Sequence, residues 1–217
     1  MSVAAVPFSQ ALRERTWSDH GESEGAGFMH DLMTGKGTRD DYIALVVQHY
    51  YVYDALESAG ARFADDPVAK PFLSPQLTRM PALEADLEFL LGDDWREKIA
   101  PLPATERYVA RIREIEAEGW AGGYIAHHYT RYLGDLSGGQ AIGRLMKRHF
   151  GFETNGVLFY IFDQIADPKA FKETYREQLD AAGWGEAERD RVIDEVVLAY
   201  RFNTETFHDL SAAKAAA

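Results

Sequence analysis

The stretch Ala126-His127-His128-Tyr129-Thr130-Arg131-Tyr132-Leu133-Gly134-Asp135-Leu136-Ser137-Gly138-Gly139-Gln140 contradicts itself as a helix. Apolar spacing on both sides of it is helical, yet Gly134, Gly138 and Gly139 fall close together inside it. Each glycine in a helix interior costs about 1 kcal/mol relative to alanine. A helix tolerates that where its backbone must come very close to something flat or bulky. Asp135 is the lone acid among these glycines. The stretch therefore reads as a bare surface over which a large ligand lies, with one acid beside it.

Outward from this stretch the helical period continues. In Tyr42–Leu56 apolar or aromatic residues recur at 42, 45, 46, 50, 53 and 56, one stripe of an amphipathic helix. Thr38 with Asp41 three residues on forms a capping-box pattern that starts it. Similar stripes predict helices over 8–19, 28–34, 77–91, 106–118, 121–150, 169–182 and 186–209. Gly92, Gly151 and Gly183 mark stops, and Lys147-Arg148-His149 places cations where the end of a helix dipole favours them. The proline-rich stretches 66–75 and 100–104 read as loops, and strand alternation is lacking. These features predict one all-α domain over residues 1–210, with a frayed tail over 211–217.

Composition narrows the function. A chain of 217 residues can bury a substantial core. The formal net charge of −12 argues against general binding to nucleic acid or anionic membranes. The chain has no cysteine, which excludes disulfides, thiolate metal sites and cysteine nucleophiles and suits a cytoplasmic setting. No segment has the basic-then-apolar pattern of a signal peptide, and none approaches the ~20 apolar residues that span a bilayer.

The histidines are individually ambiguous. His127 and His128 point about 100° apart on a helix, so they cannot both face one metal; the expectation is one in the core and one on the surface. Glu205-x-x-His208 is a single motif where a di-iron bundle needs two. His20 is followed by Glu24, which across a continuing helix could accept a proton from the second imidazole nitrogen. Taken alone, that segment reads more simply as an exposed histidine beside acids.

A family resemblance alters that weighting. The Tyr132-Leu-Gly-Asp-Leu-Ser-Gly-Gly-Gln140 core resembles the distal helix signature of the haem oxygenases. Thr16 to His20, Glu24 and Phe28-Met29 resemble their proximal segment. Tyr53-Asp-Ala-Leu-Glu57 and Phe171-Lys-Glu-Thr-Tyr-Arg176 also match, in order, so the resemblance covers nearly the whole chain. It is nearest to the bacterial members, which lack the C-terminal membrane anchor of the animal forms.

The resemblance implies haem b, substrate and cofactor at once, between a proximal helix and a kinked distal helix. His20 would be the proximal axial ligand of the haem iron, with Glu24 as its hydrogen-bonding partner. Gly134, Ser137, Gly138 and Gly139 would lie against the porphyrin. Asp135 would hold the water network that protonates the iron-bound oxygen, with Arg131, one turn earlier, orienting it, and with Tyr53 and Asn203 completing the polar set. Arg13, Tyr129, Lys172 and Arg176 would seat the propionates. Lys172 and Arg176 share a face at i, i+4, and Arg13, two turns before His20, can share the His20 face at about 10 Å. Two departures are visible: Arg13 stands where many members carry Lys, and Tyr200, near the distal pocket, where many carry Phe.

The implied reaction is oxidative degradation of haem to biliverdin, with the α-meso carbon as the cleavage site, plus carbon monoxide and ferrous iron. It uses dioxygen and electrons from a ferredoxin, flavodoxin or flavoprotein reductase, in a monomeric cytoplasmic enzyme. The alternative is a haem-binding storage or sensing protein of the same fold without turnover. A third class, helical enzymes of this fold that cleave thiamine-type substrates or use two irons, fits less well, because the cysteine and the ligand set are missing.

Overall fold

The computed structural model describes residues 6–18, 21 and 27–216, and among them there is no β-strand. Helix α1 spans Phe8–Arg15, α2 Gly27–Thr34, α3 Arg39–Gly60, α4 Met80–Leu91 and α5 Trp95–Lys98. They are followed by α6 (Pro103–Glu118), α7 (Ala121–His128), α8 (Gln140–Phe150), α9 (Pro168–Asp180) and α10 (Glu186–Ala216).

Local chemistry sets the ends. Thr38 and Asp41 form the expected reciprocal capping box at the start of α3. Pro103 opens α6, where its missing N–H is harmless, and the next free N–H, on Ala104, goes to Asp209 at 2.7 Å. Asp167 accepts from the amides of Lys169 and Ala170 at the start of α9. Gly92, Gly119, Gly151 and Gly183 take positive φ after α4, α6, α8 and α9, a conformation that other residues resist.

Helix α3 runs through the core against α4 and α6, and α10 packs along α6 and α7 while also reaching α1, α2 and α3. Tyr42, Leu45, Val46, Tyr53 and Leu56 form the buried stripe of α3, as the spacing predicts, while Tyr50, expected on the same stripe, is half-buried at its edge. Short 3-10 turns interrupt the proline-rich 66–75 stretch, and the second proline-rich stretch ends inside α6 rather than in a loop.

The helix expected over 121–150 is not regular. Between α7 and α8 the backbone widens into two π-helical turns, Tyr129–Leu133 and Asp135–Gly139, bonded i→i+5. The glycines remove the side-chain packing that would hold a tight spiral, and the Thr130 hydroxyl bonds back to the Ala126 carbonyl at 2.9 Å, which bends helices. The tail is also not as expected. Residues 211–216 continue α10, because Ser-Ala-Ala-Lys-Ala-Ala has high helix propensity and Lys214 Nζ reaches Asp41 Oδ2 at 2.8 Å.

Candidate active site

The widened α7–α8 connection lines a cavity of about 440 Å³. Gly134, Asp135, Gly138 and Gly139 form one wall, and Met29, Met33, Ile142 and Phe207 supply apolar surface. His49, Thr130, Arg131, Tyr160, Tyr200 and Asn203 also contribute to its lining.

The glycines expose bare backbone to this space. A Cβ built on Gly134 would meet nothing within 4 Å, and one on Gly139 would only touch Asp135 and Tyr160 at 3.4 to 3.6 Å. Packing within the chain therefore does not demand glycine at either position. A flat ligand pressed against the backbone would.

Asp135 is buried beside this wall. The Tyr53 hydroxyl donates to its Oδ2. Burial pushes the Asp135 carboxyl up to about 6, against the opposing pull of Arg131, the Tyr53 hydrogen bond and Arg79. Burial also pushes Tyr53 well above the ordinary phenol range, so it stays a donor.

Arg131 differs from expectation in what it holds. Its guanidinium donates to Asn203 Oδ1 at 2.8 Å and faces His49 Nδ1 at 3.0 Å, and it lies 4.9 Å from the centre of the Tyr53 ring. It acts on Asp135 through its field rather than by a hydrogen bond to the carboxylate. The π turns are the reason: residues four apart do not stack in line when the bonds run i→i+5. His49 is half-buried, and desolvation together with the Arg131 charge depresses its pKa well below the imidazole range. It is therefore neutral, with Nδ1 as acceptor. Arg131 keeps its charge despite burial, which favours the neutral form, because the fields of Tyr53, Asp135 and Tyr108 support the cation.

The expected distal set thus converges: Asp135, Tyr53, Arg131 and Asn203 form one connected group, and Tyr200, Gly134, Gly138 and Gly139 line the same cavity. The cationic set is looser. Lys172 Nζ donates to Ser137 Oγ at 3.1 Å and to the Leu136 carbonyl at 3.3 Å, which ties α9 to the glycine-rich segment. Arg13 and Arg176 line a second, surface cavity of about 710 Å³ with Ser9, Gln10, Glu14 and Trp17. Burial raises the Tyr129 phenol while the fields of Arg176 and Arg13 pull it down, so the three are electrostatic neighbours. His20 and Glu24 lie outside the described residues.

The expectation for the histidine pair fails. Both His127 and His128 are buried, because α10 meets α7 at His127 and α9 meets it at His128. His127 Nε2 meets Glu195 Oε1 at 2.9 Å, and Arg111 clamps the same carboxylate with two 2.9 Å bonds. His128 Nδ1 meets the Tyr175 hydroxyl at 2.9 Å, and burial pushes its pKa down to about 3.

Sequence reasoning missed His49, Tyr160 and the role of Glu57, whose carboxylate accepts from the Arg79 amide and the Tyr132 hydroxyl. His49 lies four residues before Tyr53 on α3, so helical spacing could have found it. Tyr160 sits on an irregular turn, Leu158–Tyr160, where no period points to a face.

Comparison with known proteins identifies the family. The sequence model of the family described as heme oxygenase matches residues 6–209. Heme oxygenase 1 of Synechocystis sp. is 36% identical over 206 residues, covering 95% of this chain and 85% of that protein. Heme oxygenase 1 of Homo sapiens is 38% identical over 208 residues, 93% of this chain and 71% of that protein. The crystal structure of the Synechocystis heme oxygenase-1 in complex with heme superposes with a TM-score of 0.91 at 36% identity, over 96% of this chain and 94% of that one. The heme oxygenase of Leptospira interrogans gives 0.86 at 33% identity, over 93% and 98%. With a buried acid beside a glycine wall and a likeness that runs the length of the chain, this protein belongs to the haem oxygenase family.

Proposed function

We propose that this chain degrades haem oxidatively to biliverdin, carbon monoxide and ferrous iron, with dioxygen as co-substrate and electrons from a separate donor. The observation that carries this reading is Asp135: a buried carboxyl, pushed up to about 6, on a glycine wall with room for a flat ligand. A protein that only stores or senses haem has no need of an acid poised to exchange protons near neutrality.

Haem, when bound, supplies the iron that activates dioxygen and the ring that is opened. The chain does the rest. The apolar side chains Met29, Met33, Ile142 and Phe207 exclude water from the ring faces. His20 would hold the iron through a neutral imidazole, and Glu24 would fix its tautomer. Gly134, Gly138 and Gly139 let the distal backbone approach. Asp135 receives and passes protons at Oδ1, the oxygen not engaged by Tyr53. Arg131, steadied by Asn203 and neutral His49, keeps enough positive field there for the carboxylate to reform after each transfer. Tyr200 borders this network. Arg13, Tyr129, Lys172 and Arg176, with Ser137, seat the propionates and so decide which meso carbon faces the distal side; the reading is the α-meso carbon. The same cations form the docking edge for a ferredoxin, flavodoxin or flavoprotein reductase. We further place the protein in the cytoplasm as a monomer; no described helix is long and apolar enough to cross a membrane.

The test is direct. Hemin is added to the purified chain, and a histidine-type Soret band is expected. Reductant and air are then supplied, and the product is separated against the four biliverdin isomers. Biliverdin with α dominant supports the whole reading. A stable Soret band with no biliverdin means a storage or sensing protein, and a dominant β or δ isomer means the propionate seating is misassigned.

A further inference from the structure

Tyr160 has no place in the network described so far. It is 5% exposed, it lines the distal cavity, and its hydroxyl has no hydrogen-bond partner among the described residues. A buried hydroxyl without a partner is costly, and an ordered water is one way to satisfy it. Its ring lies against the glycine wall: a Cβ on Gly139 would stand 3.5 Å from Tyr160 Cδ1 and 3.6 Å from Asp135 Oδ1. The strongest charge acting on its phenol is that of Asp135, followed by Arg131 and then Asp86.

Asp86 explains how the ring is held. This side chain of α4 is fully buried and meets no cation among the described residues. Its Oδ1 accepts from the amides of Gly156 at 2.7 Å and Leu158 at 3.0 Å, and its Oδ2 from Phe159 at 2.9 Å. The Tyr42 hydroxyl holds the same turn by donating to the Gly156 carbonyl at 2.6 Å. Phe159 then packs against His49 and Tyr53, with ring centres 5.0 and 5.1 Å away, and Tyr160 follows it into the cavity wall. A carboxylate that organises three backbone donors fixes a segment whose only regular structure is the single 3-10 turn Leu158–Tyr160.

We propose that Tyr160 donates a hydrogen bond to a water held in the distal cavity beside Asp135, and that Asp86 is the positioning residue that aims it. A cavity water needs two or more polar partners, and the unpaired Tyr160 hydroxyl and Asp135 Oδ1 belong to residues of one wall. The inference rests on the haem-degrading reading for its consequence, namely a second donor that keeps the proton supply of Asp135 ordered.

The test uses the full chain carrying Tyr160→Phe, Asp86→Asn or both. Without hemin, Tyr160→Phe should melt at or above the wild-type temperature, because no bond within the chain is lost. A clear drop would make the hydroxyl structural and overturn the proposal whatever hemin does. With hemin, the pH midpoint of the acid–alkaline visible transition should move upward in Tyr160→Phe by about half a unit to one unit, as expected for one lost donor. Asp86→Asn should melt lower and show the same shift, and the double variant should shift no further than either single one. An unmoved midpoint in Tyr160→Phe removes the donor role; additive shifts remove the positioning role. If Asp86→Asn does not fold, Tyr42→Phe loosens the same turn and should give a smaller upward shift, and no shift there counts against positioning. Wild-type protein that binds hemin but forms no biliverdin would overturn the haem-degrading reading and leave these shifts to be judged alone.

Discussion

An aspartate in water is almost fully ionised near neutrality, whereas Asp135, held at about 6 chiefly by burial, keeps a measurable protonated fraction. The sign of the effect on stability follows. Its folded pKa lies above its ordinary value of 3.8, so the folded state binds the extra proton between these limits. Ionising Asp135 therefore destabilises the fold, increasingly as pH rises from about 4 to about 6 and then constantly above. Asp135→Asn keeps the acceptor for Tyr53 and removes the charge. Without hemin it should be more stable than wild type at about pH 8, by about 1–3 kcal/mol, with the gap closing by about pH 4 in paired thermal melts. Asp135→Ala should bind hemin with normal affinity yet lose most of its biliverdin yield; an unchanged yield on chromatography would end the proton-relay role. His20→Ala should bind hemin without the histidine-type spectrum and without turnover, and added imidazole should restore part of both. A histidine-type spectrum that survives the substitution would move the ligand to another side chain.

At the scale of elements, the legible and the illegible parts have different causes. Thr38 with Asp41, and Gly92, Gly151 and Gly183, were readable because caps and stops are set by residues a few positions apart. The stripe 42, 45, 46, 53, 56 was readable because burial repeats with the helical turn. The π geometry between α7 and α8 was visible only as three oddly placed glycines. Its i→i+5 bonds, and with them the true partners of Arg131, depend on α3 and α10 packing against it. The pairing of His127 with Glu195 joins residues 68 positions apart, which no local pattern encodes. The two glycines that face Tyr160 separate function from packing. A Cβ on Gly143 would stand 2.7 Å from Tyr160 Cβ, so Gly143→Ala should lower the melting temperature, by about 1–3 kcal/mol of overpacking. A Cβ on Gly139 makes only ordinary contacts, so Gly139→Ala should leave the melt near wild type while weakening hemin binding in a Soret titration. If the two variants behave alike in both measurements, the glycine wall is not a ligand surface.

Across the whole molecule, the Arg111–Glu195–His127 cluster joins α6, α10 and α7. Burial alone would raise the Glu195 carboxyl, but the hydrogen bonds and charges of His127 and Arg111 pull it down to about 2. Its folded pKa is below its ordinary 4.5, so its contribution is complete above about 4.5 and is lost as pH falls toward about 2. Glu195→Gln should therefore cost about 2–4 kcal/mol at neutral pH and much less at about pH 3, read from urea midpoints. Equal losses at both pH values would mean that shape rather than charge matters there.

Helix α10 carries Glu195, Asn203, Phe207 and Lys214 on one uninterrupted rod. Its phase is therefore shared by contacts that otherwise have nothing in common. Inserting a single alanine between Glu195 and Asn203 would rotate everything beyond it by about 100° and advance it by about 1.5 Å. Asn203 would then swing away from Arg131, and Lys214 from Asp41, although no named side chain had changed. Within this rod, length is constrained more tightly than composition: exposed positions such as Arg201 and His208 can vary freely, while an indel anywhere along it would disconnect one end of the protein from the other.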